Sequence, residues 1–484
     1  MSHSLLQEQL EACAAARYPL HMPGHKRRCT PAPGLGCAAW DTTEVSGTDD
    51  LHDAHGILAD AMTRAAALWG ARRSWFLVGG STCGLLAAIR AAAPYGSEII
   101  CARNCHKSVY HAIELCGLRP VWLTPPVDPV FGVYGSIEPT KVLEALFAHP
   151  KATCVVLTSP TYEGVVSNLS AIADACHFRH VKLVVDEAHG AHYMPAAAPY
   201  GWRGGAVAAG ADLVVQSAHK TLPSLTQTAL LHQNTLFVEA DEVERQLDVF
   251  ETSSPSYPLM VSLDGCVTRM AEEGPALFAA WRARLDRFSA AVASLRHLRV
   301  LCHGTDTLDN HPDFFAHDSS KILVNGAAAG LTGAQMAQIL REKYGLETEM
   351  ACGYNLLAMT SVCDAEDALD RLAQALLAMD TPSASGAAAA PSAPVLCPPG
   401  QALFTIAQAV RYPRKEMLLA EAEGHTAAEY VWAYPPGVPL IAPGERVTPA
   451  FLAACAALEA AGTTLHHTVS DRPSRLAVCT AAKP

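Results

Sequence analysis

From about residue 56 to 260, short apolar runs alternate with stretches whose apolar positions recur at helical spacing. The runs fall at 75–78, 98–102, 121–124, 154–158, 183–186, 213–216 and 228–232. Two of them, Leu183-Val184-Val185 and Leu213-Val214-Val215, are the β-branched type expected of strands buried on both faces. Such alternation predicts βαβ units and a mostly parallel seven-stranded sheet with helices on both sides. A helix is predicted near 5–15, ahead of a Gly/Pro/His-rich stretch, His21-Met22-Pro23-Gly24-His25-Lys26. A long helical pattern from about 260 to 294 leads into a smaller α/β region ending near 379. Residues 381–399 are rich in Pro, Ala and Ser and read as a linker. The remainder reads as a small C-terminal domain in which Tyr434-Pro435-Pro436-Gly437-Val438-Pro439 forms a rigid turn. The expected organisation is therefore an arm over 1–55, a large domain over 56–265, a small α/β domain over 266–380, a linker and a domain over 400–484. No internal repeat is visible.

Composition narrows the classes. The 484 residues are 50% hydrophobic and 17% charged, enough for large cores and against global disorder. A formal net charge of −12 argues against nucleic acid or an anionic membrane as partner. The 16 cysteines are scattered, which suits reduced thiols in a cytoplasmic enzyme better than a disulfide scaffold. Glu8 and Glu11 near the start, with no basic run, do not make a secretion signal. No uninterrupted apolar run reaches the length of a membrane span.

The chemistry is concentrated at the ends of two runs. Asp186 ends one, in Val185-Asp186-Glu187-Ala188-His189-Gly190, and Lys220 follows the other, in Ser217-Ala218-His219-Lys220-Thr221. Ligands in open α/β sheets sit at the carboxyl ends of the strands. A lysine and a carboxylate at adjacent strand ends are what a pyridoxal phosphate site requires: an amine for the Schiff base and an anion that keeps the ring nitrogen protonated. Gly79-Gly80-Ser81-Thr82-Cys83-Gly84 opens an apparent helix, and its free N–H groups, hydroxyls and dipole suit a phosphate. An ordinary Ser/Thr cap after a glycine turn would look the same. Ser217 and His219 flank the lysine, where they could complete that cup. His106, in Asn104-Cys105-His106-Lys107-Ser108, follows another strand and could lie over a cofactor ring, although a surface loop histidine is the plainer reading. Cys101, Cys105 and His106 lack a second ligand pair, so no metal is expected. The acidic run at Asp186 is not that of a nucleotide-driven motor, because no G-x-x-x-x-G-K-[ST] loop accompanies it. No G-x-S-x-G elbow marks a serine hydrolase.

Together these segments, with Asp49-Asp50-Leu51-His52 and Gly80-Ser81-Thr82, resemble the Orn/Lys/Arg decarboxylase family, an aspartate-aminotransferase-like branch of pyridoxal phosphate enzymes. The matching stretches keep the family's order and cover about 20–265 strongly. The resemblance implies that Lys220 carries the cofactor and that Asp186 meets its ring nitrogen. It places Ser81, Thr82, Ser217 and His219 on the phosphate, His106 on the ring, and His189 beside the cofactor near the reacting carboxylate. Thr252-Ser253-Ser254-Pro255 resembles the segment that reaches a neighbouring subunit's phosphate, which implies a homodimer. The chain lacks the N-terminal wing domain of the long inducible members and is similar to the compact biosynthetic type. The implied reaction is decarboxylation of a basic amino acid: arginine first, lysine or ornithine otherwise, with Asp49, Asp50 and Glu44 as candidates for the distal cation. The rivals are another pyridoxal phosphate reaction, such as transamination or aldol cleavage, and a non-catalytic relative that regulates an active paralogue. A transcription regulator on this scaffold would need a helix-turn-helix, for which the short acidic start leaves no room.

Overall fold

The computed structural model describes residues 4–16, 22–23, 26, 36–382, 399–433, 437–460 and 463–480. Seven strands form the central sheet: β1 (Arg73–Leu77), β2 (Glu98–Ala102), β3 (Arg119–Leu123), β4 (Ala152–Thr158), β5 (Lys182–Asp186), β6 (Leu213–Gln216) and β7 (Ala229–Gln233). Their order is β1-β7-β6-β5-β4-β2-β3. The β2–β3, β2–β4 and β5–β6 pairs are parallel, whereas β7 runs antiparallel to both β1 and β6. The sheet is thus mostly parallel, as the run pattern predicts. Several strands begin one or two residues before the apolar run. β3, for example, starts at the exposed Arg119, because hydrophobicity marks only the buried part of a strand.

Helices α1 (Leu5–Ala16), α2 (Ile57–Trp69), α3 (Gly80–Ala92) and α4 (Lys107–Leu115) precede or follow the first strands. α3 lies close against the sheet because residue 84 lacks a side chain. A Cβ there would come within 2.5 Å of Leu77 Cδ1 and 3.0 Å of Val215 Cγ1. The long helical pattern forms a single helix, Tyr257–Val292. No helix among the described residues is long and apolar enough to cross a membrane. His21, Gly24 and His25, most of the Pro/Ala/Ser-rich linker, and Tyr434, Pro435 and Pro436 lie outside the described residues.

The chain divides into two compact units, one of residues 1–92, 169–282 and 361–363, the other of 93–168, 283–360 and 364–484. In the first, Asp264 ties the arm down, accepting from Ser4 Oγ at 2.6 Å and Leu6 N at 3.1 Å while pairing with Arg64 at 2.6 Å. The second unit contains a four-stranded antiparallel sheet and the C-terminal domain. That domain packs Val431, Phe451, Leu458, Leu476 and Val478 into its own core.

A buried charge cluster in the second unit has a consequence for stability. His311 Nδ1 lies 2.6 Å from Asp128 and Nε2 lies 2.8 Å from Asp306. Burial alone would lower the imidazole's pKa, but the two carboxylates outweigh it and push the value up to about 9. A histidine whose folded pKa is raised adds stability that is complete below its unfolded pKa and is lost as pH rises through the folded one. Between pH 7 and pH 10 the wild-type chain is therefore expected to lose roughly 3 kcal/mol that His311→Asn does not lose. Denaturation midpoints of both proteins at the two pH values measure this, and parallel declines would refute it.

Candidate active site

The first unit brings the ends of β5 and β6 together. Their parallel register pairs Val184 with Leu213, Val185 with Val214 and Asp186 with Val215, so both strands deliver their last side chains to one edge. Asp186 is 3% exposed, and its Oδ1 accepts from Ala188 N at 3.1 Å. Burial raises its pKa, against the opposing pull of the nearby Lys220 charge and the Ala188 N–H. Past β6 the chain makes a one-turn helix, Ala218–Thr221, with Ser217 at its N-cap. Lys220 Nζ reaches His189 Nε2 at 2.8 Å. Asp186, His189 and Lys220 therefore share one edge, as the sequence predicts. Ser217 is fully buried, and its Oγ has no hydrogen-bond partner among the described residues. His219 Nδ1 lies 2.9 Å from Thr228 O, and burial first, then the Lys220 charge, lowers its pKa.

Ser81 and Thr82 occupy the first turn of α3, Ser81 half-buried and Thr82 exposed. Gly80 enters that turn at φ +76°, a left-handed backbone that a side chain would strain. Glu251, which the sequence does not single out, also reaches this turn. Its Oε2 accepts from Val78 N at 3.1 Å, Gly79 N at 2.9 Å and Cys83 Sγ at 3.2 Å. A Cβ at Gly79 would sit 2.8 Å from Glu251 Oε1, so glycine is needed for the carboxylate to approach. The contact joins residues far apart in the chain, and no local pattern announces it.

A second feature missed in the sequence is a buried polar chain supporting the strand ends. Ser74 Oγ lies 2.7 Å from His232 Nδ1, and His232 Nε2 lies 3.1 Å from Gln216 Oε1. Gln216 Nε2 donates to Glu187 Oε2 at 2.7 Å, and Glu187 Oε1 accepts from Ala206 N at 2.8 Å. Burial drives His232 down to about 3, so its ring is neutral and carries one proton. Gln216 Oε1 can only accept, which puts that proton on Nε2 and leaves Nδ1 to accept from Ser74. Every bond then has one donor and one acceptor. The chain pins residues 187 and 216, each adjacent to a residue of the Asp186–Ser217 edge. Burial also raises Glu187, to about 8, although Gln216 and Ala206 bond it.

His106 belongs to the second unit. It is the N-cap of α4, its Nδ1 2.8 Å from Ser108 Oγ and accepting from Ser108 N at 3.3 Å. Of the carboxylates expected near a substrate cation, Asp49 caps α2, accepting from Gly56 N and Leu58 N at 2.9 Å each. Asp50 accepts from His52 N at 2.9 Å, and Glu44 is exposed. Among the described residues, one mixed donor group, Cys302, Asp306 and His311, brings its ligand atoms within 4.8 Å of one another. His311 is there already bonded on both ring nitrogens.

The chain resembles known proteins over most of its length. It is 32% identical over 441 residues to an arginine decarboxylase of Halalkalibacterium halodurans, covering 90% of this chain and 88% of that one. It is 31% identical over 449 residues to an arginine decarboxylase of Bacillus subtilis, covering 90% and 89%. In fold it is similar to a lysine decarboxylase of Francisella novicida, with a TM-score of 0.81 at 19% identity over 98% of this chain and 81% of that one. Residues 37–320 match the Orn/Lys/Arg decarboxylase major domain and 397–466 the C-terminal domain of the same family. The chain belongs to the Orn/Lys/Arg decarboxylase family of pyridoxal-phosphate-dependent amino acid decarboxylases.

Proposed function

We propose that the protein decarboxylates arginine to agmatine and carbon dioxide, with pyridoxal 5′-phosphate bound at the edge formed by Asp186, Ser217 and Lys220. The single observation that carries the reading is the buried Asp186 carboxylate beside Lys220, in a chain nearly one-third identical to two arginine decarboxylases. The residues suit the cofactor. Asp186 is a buried carboxyl group whose pKa burial raises, and a protonated ring nitrogen beside it would favour its charged form. The Ser217 hydroxyl is buried without a partner among the described residues, and a phosphate oxygen would provide one. The N–H groups opening α3 suit the same anionic end.

When bound, pyridoxal phosphate supplies the electron sink that accepts the pair left as carbon dioxide departs. In this reading Asp186 would hold the ring nitrogen, Ser81, Thr82, Ser217 and His219 would hold the phosphate, and His106 would contact the ring. Lys220 carries the cofactor between turnovers. His189 Nε2, already within hydrogen-bond reach of Lys220 Nζ, can take or return a proton at that nitrogen or beside the departing carboxylate. Burial at the edge excludes water from the leaving group, which adds to the rate. The distal cation of the substrate meets a carboxylate. Glu44 is the exposed one of the three candidates, while Asp49 and Asp50 are engaged in local caps. The same reading makes the enzyme a cytoplasmic homodimer, with Thr252-Ser253-Ser254-Pro255 reaching the partner's phosphate; light scattering tests the dimer.

Lysine and ornithine are the alternative substrates. The cofactor-loaded protein, incubated separately with arginine, lysine and ornithine, is expected to yield agmatine from arginine, identified by mass spectrometry. Cadaverine or putrescine alone would replace the substrate assignment. A keto acid in place of an amine would replace the reaction.

A further inference from the structure

We infer that Glu445, in the C-terminal domain, is a positioning residue for the reaction: it clamps Arg103 and so fixes the turn that presents His106. The inference rests on the proposed place of His106 on the cofactor ring. Its structural part lies wholly within one compact unit.

Arg103 directly follows the last residue of β2 and is itself followed by Asn104-Cys105-His106. It is 1% exposed, an unusual place for a guanidinium unless its partner is fixed. Glu445 takes both prongs of the fork, Nη1 to Oε1 at 2.6 Å and Nη2 to Oε2 at 3.0 Å, and Leu440 O accepts from Nη2 at 3.3 Å. The carboxylate is itself held, Oε2 accepting from Ala442 N at 3.1 Å. The guanidinium also lies 5.6 Å from the Tyr110 ring centroid and 5.2 Å from that of Trp122. A buried ion pair adds little net stability over apolar packing, whereas a two-pronged pair sets an angle and a distance.

That geometry passes to the turn through the backbone. Arg103 N donates to Leu123 O at 2.8 Å, and Arg103 O accepts from Tyr110 Oη at 2.9 Å. Tyr110 stands on α4, the helix that His106 caps, and Tyr430 of the C-terminal domain meets its ring edge-on at 6.3 Å. On the other side of His106, Lys107 Nζ sits 5.5 Å from the Trp432 ring centroid. The C-terminal domain therefore grips the residues on both sides of the His106 turn.

The test is a double-mutant cycle on the cofactor-loaded enzyme. Glu445→Gln keeps the size and removes the charge. It is expected to lower kcat about ten-fold with KM nearly unchanged, and to shift the visible circular dichroism of the bound cofactor. In a His106→Ala background the same substitution is expected to change kcat less than about two-fold, because its route to the site is gone. Arg103→Lys, which keeps the charge and loses the fork, should show the same coupling and serves where Glu445→Gln does not fold. Equal losses in both backgrounds, or no loss in the wild-type background, overturn the proposal. Should the loaded wild type make no amine, the dichroic band of the same four proteins gives the coupling. A wild-type chain that takes up no cofactor overturns the underlying reading and this proposal with it. Additive effects in an active, loaded enzyme overturn this proposal alone.

Discussion

Lys220→Ala is expected to abolish amine production, lowering turnover on the order of 10⁴-fold or more, as removal of a covalent catalytic group does. The expectation follows from where the side chain ends. Lys220 rises from a one-turn helix after β6, and Nζ comes within 2.8 Å of His189 Nε2 next to the Asp186 edge. An amine held there is within reach of a proton acceptor, a condition for imine chemistry. Alanine removes the amine and leaves the β5–β6 pairing, the Ser217 hydroxyl and the buried Glu187–Gln216–His232 chain in place. The variant should fold and still retain cofactor by its phosphate. Borohydride reduction followed by peptide mass spectrometry separates the cases, since cofactor mass is expected on the wild-type peptide containing Lys220 and on no peptide of the variant. Turnover near the wild-type level would remove Lys220 from its role, and cofactor mass on a different lysine would move the role to that residue.

The legible and illegible parts of this site differ in a physical way. Asp186, Ser217 and Lys220 are readable because each follows an apolar β-branched run, and a run ending in a polar side chain marks both a strand and its exit edge. The seven-stranded sheet is readable for the same reason, with only the exposed first residues of strands such as β3 lost. Glu251 is not readable, because its three donors, Val78, Gly79 and Cys83, lie far earlier in the chain. His232 and Gln216 sit inside runs taken as plain strand, and only the antiparallel register of β7 beside β1 and β6 shows that their side chains meet. Arg103 and Glu445 are further apart still, and no spacing rule links them. Asp49 shows the reverse case. A carboxylate that reads as a substrate ligand by composition turns out to cap α2, its pKa lowered by backbone N–H groups despite burial.

Asp186→Asn is expected to lower kcat on the order of 10²–10³-fold, the scale of losing one preorganised electrostatic contact. It should do so without weakening the fold. The carboxylate is 3% exposed, and burial holds its pKa above the ordinary range. A carboxyl group whose folded pKa exceeds its unfolded pKa contributes stability at low pH that disappears as pH rises toward and through the folded value. An asparagine of the same size has no charge to bury, so the desolvation penalty that raises the carboxyl's pKa has no counterpart in the variant. The cofactor-free variant is expected to melt at or above the wild-type temperature, while its loaded form turns over slowly. Those opposite movements identify a residue kept for chemistry at some cost in stability, since a merely structural carboxylate would lose both together. The ring nitrogen gives the reason: a neutral amide cannot hold the positive charge that makes the ring an electron sink, whereas the carboxylate can. Melting curves of the cofactor-free proteins and initial rates of the loaded ones complete the test. A variant within about three-fold of wild-type kcat, a gap of well under 1 kcal/mol, would show that Asp186 does not govern the ring.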